Sequence, residues 1–137
     1  MNEYHLADVE VGLKAGFQVV ITPEMMDGFL AVSGDTNPLH NIEEYAAGKG
    51  FSGRVVYGML TSALYSRLAG VHLPGKYCLL QGIDIVFQKP AYIGDVLDVS
   101  GTVSYVNEPY KMIEIRAEIR NQLAVRVSRA KIKVGFL

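Results

Sequence analysis

This chain of 137 residues is short of several things, and each shortage narrows what it can be. It has one cysteine, so no intrachain disulfide is possible. Cys78 lies in the apolar stretch YCLLQGIDIVF without a basic neighbour to lower its pKa, a context that suits a small buried hydrophobe better than a reactive thiol. Blocks of like charge are missing and the formal net charge is -1, so neither a nucleic-acid footprint nor a polybasic membrane anchor is present. No apolar run approaches the ~20 residues of a membrane helix. The first ten residues, MNEYHLADVE, carry acids and a histidine where a secretory leader would be basic and then apolar. A cytoplasmic protein with no membrane or nucleic-acid partner is expected.

Histidine is scarce too. His5, His40 and His72 stand in unrelated contexts without ligand spacing, so no metal site is expected. Internal repeats and linkers are lacking, and the length fits one domain, 1–137, on a prior of roughly 100–200 residues per domain.

What the chain does have is apolar material: 50% of residues are hydrophobic and 20% charged, enough to bury a substantial core. GFQVVIT reads as a first strand. Thr22 and Pro23 then suit the N-cap and first turn of a helix over Pro23 to Val32. NIEEYAAGKG predicts a short helix from Asn41 ended by Gly48. Gly58 to Ala69 is apolar or small on nearly every side, which predicts a helix buried all round. Beyond Lys76 the pattern is β. Leu97, Val99, Val103 and Tyr105 alternate with polar residues, as do Ile113, Ile115, Ala117 and Ile119. A last strand runs from Leu123, its apolar parity switching near Ser128-Arg129 as a β-bulge would make it. One buried helix with a mainly antiparallel set of strands gives an α+β fold, a sheet curled round a helix.

The chemistry concentrates in SGDTNPLH, residues 33–40, at the end of the first helix. Gly, Asp, Asn and Pro are favoured turn residues, so a polar turn is one reading. The other is a site: a carboxylate and a neutral imidazole about 3 Å from one water could hold it and move its proton, with an amide fixing its orientation.

Phe29 to His40, FLAVSGDTNPLH, with Ala46 five residues further on, resembles the signature of the MaoC-like, hydratase 2 family of (R)-specific enoyl-CoA hydratases. VVYGML and FQKPAYIGDVL are similar to that family's pattern as well, so the resemblance covers almost the whole chain. It implies a hot-dog fold, a five-stranded antiparallel sheet wrapped round a central helix, with a helical segment carrying the active-site loop. It implies hydration of trans-2-enoyl-CoA to (R)-3-hydroxyacyl-CoA, or the reverse, in a homodimer whose acyl site lies near the subunit interface, with coenzyme A as part of the substrate and no other cofactor.

Under this resemblance Asp35 and His40 match the acid–base pair and Asn37 the residue that holds the water. The backbone N–H of Gly58, at a helix N-terminus where the dipole favours an anion, would receive the thioester oxygen. Ser62, one turn on, could bond Asp35, line the pocket or bond back to its own helix. Tyr57 and Met59 are further candidates for substrate contact. Many relatives have His where Tyr57 stands, a departure that bears on pocket polarity. Met25, Met26, Phe29, Leu30 and Leu60 could shape an acyl tunnel or be ordinary core. The basic C-terminal third, including Arg116, Arg129 and Lys131, reads as a solvated face or as a contact for coenzyme A phosphates or an acyl carrier protein. Three rival functions remain: a dehydratase of a specialised or carrier-bound acyl thioester, a non-catalytic acyl-thioester-binding subunit, and a hot-dog thioesterase.

Overall fold

The computed structural model describes residues 1–137. Five antiparallel strands, β1 (Lys14–Val20), β2 (Cys78–Phe87), β3 (Val96–Asn107), β4 (Met112–Arg120) and β5 (Arg126–Phe136), form one sheet in the order β1-β3-β4-β5-β2. Between β1 and β2 lie helices α1 (Pro23–Ser33), α2 (Pro38–Asn41), α3 (Glu43–Gly48) and α4 (Gly58–Arg67), the last continued by a π-type turn, Leu68–His72. No helix is long and apolar enough to cross a membrane.

Period-two alternation puts Leu97, Val99 and Val103 of β3, Ile113, Ile115 and Ile119 of β4, and Ile132 and Val134 of β5 on one face, all buried. Tyr65, Leu68 and Ala69 from α4 and its extension complete that core. Each such aliphatic side chain stabilises the fold by about 1.5–3 kcal/mol through burial. Tyr65 donates to or accepts from Ser128 at 2.8 Å, so its one polar atom is satisfied inside.

Several expectations are corrected. Tyr105 is 46% exposed, because the β3–β4 register slips between Val103 and Tyr105 and turns Tyr105 off the core face. The bulge expected near Ser128-Arg129 is present, at Val127 beside Ser128, since Ile119 pairs with Ser128 while Arg120 pairs with Arg126; Leu123, by contrast, belongs to the exposed turn before that strand. Helix α4 is not buried all round: Thr61, Ser62 and Tyr65 are inside, whereas Met59, Ala63, Ser66 and Arg67 are exposed. Its last turn widens into a π turn that carries the chain past Gly70. The predicted helix from Asn41 is two, broken at Ile42, which leaves the helical region with an extended backbone. Cys78 is half-buried, and burial pushes its thiol pKa up.

Candidate active site

Thr22 starts α1 by accepting the N–H of Met25 at 3.3 Å, and Gly34 ends it at φ 69° with its N–H on the carbonyl of Leu30 at 2.8 Å. That left-handed conformation strains an L side chain and suits glycine. Two side chains then fold the loop. Asp35 accepts the N–H of Asn37 through Oδ1 at 3.0 Å, and Asn37 accepts the N–H of Leu39 through Oδ1 at 2.9 Å, capping α2 with Pro38 in its first turn. The turn therefore uses one oxygen of each side chain. Oδ2 of Asp35 and the amide N–H₂ of Asn37 are left unengaged, and both residues are exposed.

His40, half-buried on α2, has Nδ1 2.7 Å from the carbonyl oxygen of Val55. A carbonyl can only accept, so Nδ1 carries a proton and Nε2 of the neutral ring is an acceptor. Val55 is itself held. Its N–H donates to the carbonyl of Leu39 at 3.1 Å, it bridges to Tyr92, and Val56 donates to Ala91 at 2.8 Å. Arg54 Nε adds a 2.7 Å bond to the carbonyl of His40. The irregular segment after α3 is thus a brace between the α2 backbone and the approach to β3.

Gly58 opens α4 behind Tyr57, which makes no side-chain capping bond. Being first in the helix, the Gly58 N–H has no intrahelical acceptor and finds none elsewhere on the chain. A Cβ at this position would stand 3.0 Å from Cε1 and 3.1 Å from Cζ of Phe87, so glycine is what lets that ring lie against the helix start. His40 and Gly58 open onto one cavity of about 340 Å³, walled by Phe51, Val55, Val56 and Phe87 and bordered by Thr61. His40, the first residue of α4 and an apolar wall thus border one space, which Asp35 and Asn37 do not line. A wider trough of about 850 Å³ runs over the charged face of β3, β4 and β5 and holds none of the loop residues. There Lys131 pairs with Glu114 at 3.2 Å, and Arg120 and Arg126 pair with Glu118 at 2.8 and 3.6 Å. Hydrogen bonding from Arg120 holds the Glu118 carboxyl below the usual range.

Ser62 donates to the carbonyl of Gly58 at 2.8 Å, turned back on its own helix and making no bond to Asp35. Thr61 does the same at 2.7 Å and is the one that borders the cavity. Met59 is 62% exposed and does not line it. Tyr57 is buried; its hydroxyl lies 2.8 Å from the carbonyl of Asp35, and its ring centroid is 4.3 Å from that of His40. Met26 is core, with Met25, Phe29, Leu30 and Leu60 packed against it. Sequence reasoning missed Val55, Asn41, Thr61 and Phe87. A backbone carbonyl such as that of Val55 leaves no mark in a sequence, and Phe87 stood in FQKP, a stretch noted only as a pattern.

A family model described as MaoC like domain matches residues 8–125. The chain is 32% identical to the (R)-specific enoyl-CoA hydratase of Aeromonas caviae over 114 residues, 83% of this chain and 85% of that protein. It is 33% identical to the 3-hydroxybutyryl-CoA dehydratase of Methylorubrum extorquens over 100 residues, 73% of this chain; the match spans 64% of that protein, under two thirds of its length. The solved (R)-hydratase from A. caviae involved in PHA biosynthesis superposes with a TM-score of 0.90 at 29% identity, covering 94% of this chain and 98% of that one. Matched over most of its length in sequence and in backbone, this chain belongs to the MaoC-like domain family and has its hot-dog fold.

Proposed function

We propose that the chain is a hydro-lyase interconverting trans-2-enoyl-CoA and (R)-3-hydroxyacyl-CoA. The observation that carries the reading is the pinned tautomer of His40, whose Nδ1 is spent on Val55 so that Nε2 is left as the acceptor of a ring that borders, with Gly58, one largely apolar cavity. Hydration asks for a water that loses a proton as its oxygen bonds C3, a proton delivered to C2, and stabilisation of the negative charge gathering on the thioester oxygen. Asp35 Oδ2 and His40 Nε2 serve the water, and the Asn37 amide N–H₂ orients it. As the C3–O bond forms, the π pair of C2=C3 moves toward the thioester oxygen, where the Gly58 N–H and the dipole of α4 receive it. The water's proton then reaches C2 through the same acid–base pair. No metal or redox cofactor enters this scheme, and coenzyme A arrives as part of the substrate.

The working form is a homodimer. Supporting this, the edge strand β2 exposes Leu79, Leu80, Ile83, Val86 and Phe87, an apolar edge that a lone chain would leave open to pairing. Phe87 belongs both to that edge and to the cavity wall, so a partner seated there would border the acyl site. The test is turnover of crotonyl-CoA and of the same acyl group on an acyl carrier protein, with the product identified. Formation of 3-hydroxybutyryl thioester supports the reading; release of free coenzyme A without it, as a thioesterase would give, overturns it.

A further inference from the structure

Tyr57 stands one peptide bond before the oxyanion donor and reaches back 22 residues to the loop that holds the acid–base pair. Its hydroxyl lies 2.8 Å from the carbonyl of Asp35 and 3.1 Å from Oδ1 of Asn41, so a single phenolic proton is shared between two acceptors. Asn41 Nδ2 donates to that same Asp35 carbonyl at 3.3 Å and to the carbonyl of Asn37 at 2.9 Å. Turning this amide over would press its oxygen against two carbonyls, so the partners fix its orientation. Every other bond of Asp35 stays within residues 33–41, to Ser33, Asn37 and Asn41; Tyr57 is its one tie to the rest of the fold. The Tyr57 ring also packs on both His40, at 4.3 Å, and Phe29, at 4.8 Å between centroids.

We propose that Tyr57 is a positioning residue that, with Asn41, locks the Asp35–His40 loop to the start of α4, so that the water site and the Gly58 N–H keep a fixed separation. The inference rests on the hydro-lyase reading of the same site. Reacting atoms are bridged by one small substrate, and drift between the two halves of the site is lost from kcat more than from binding. Removing the hydroxyl while keeping the ring isolates this effect.

In Tyr57→Phe, kcat on crotonyl-CoA should fall about 10-fold with KM within about twofold of the wild type. Amide hydrogen exchange over residues 35–41 should quicken. Asn41→Ala should do likewise, and the double variant should be no worse than the weaker single one, because both serve one clamp. Tyr65→Phe, which removes an equally buried phenol near the other end of α4, should lose stability but keep kcat and loop exchange. Wild-type kcat and exchange in Tyr57→Phe, or equal losses in Tyr65→Phe, would overturn the proposal. A wild type inactive on enoyl thioesters would defeat the functional reading alone, since the exchange measurement still decides the clamp.

Discussion

Nδ1 of His40 and the carbonyl oxygen of Val55 stand 2.7 Å apart, and this contact assigns the two nitrogens of the ring their separate tasks. Nitrogen-15 shifts of the neutral His40 ring should show Nδ1 protonated and Nε2 bare. Finding the proton on Nε2 in the neutral ring would leave the site without the acceptor that the chemistry uses.

Gly58 is constrained by Phe87 and by the carbonyl-to-N–H geometry of a helix start. A methyl group at 58 meets the Phe87 ring at 3.0 Å, so either the ring or the first turn of α4 must shift. Gly58→Ala should lower kcat about 10-fold or more by moving the N–H away from the thioester oxygen. The loss should shrink in a Phe87→Leu background, where the obstacle is more pliable. Steady-state kinetics of the three variants checks this, and a fully active Gly58→Ala would contradict it.

Tyr65 gives a pH signature independent of catalysis. Burial pushes its phenol from 10.0 up to about 12, opposed in part by the Ser128 hydrogen bond. The unfolded chain therefore ionises this group first as pH rises. The stability it contributes is complete below pH 10.0 and is lost as pH climbs toward about 12. Thermal unfolding across that range should show a falling Tm in the wild type and a flatter one in Tyr65→Phe.

The proposed dimer is open to direct disruption. Lysine in place of both Ile83 and Val86 puts charge along the apolar edge of β2, which discourages strand-edge association. Light scattering should report twice the chain mass for the wild type and the single-chain mass for the variant, with activity falling alongside. A fully active wild-type monomer would contradict the arrangement.

Much of this was legible in the residues themselves. Thr22 and Pro23 mark the start of α1 because caps are local chemistry, and Ile113, Ile115 and Ile119 mark a buried face because strand alternation is local too. The loop was legible through the fixed spacing of Asp35, Asn37 and His40. Asp35 and Asn37 each serve the turn with one oxygen and leave another polar atom open, and His40 spends one nitrogen on Val55 and keeps the other, so a polar turn does not rule out a site. The partners were not legible. Val55 meets His40 through a backbone carbonyl alone, Tyr57 bonds a residue 22 positions earlier, and the slip between Val103 and Tyr105 lies in how β3 pairs with β4.

The central claim is that Asp35 and His40 add water to an enoyl thioester in the cavity that Gly58 opens onto. Its most direct test is crotonyl-CoA hydration by the wild type, Asp35→Asn and His40→Gln, with the stereochemistry of the product determined. The wild type should give (R)-3-hydroxybutyryl-CoA, and each variant should lose about 10²-fold or more in kcat/KM while keeping its fold. An (S) product, no turnover in the wild type, or undiminished activity in either variant would contradict the account.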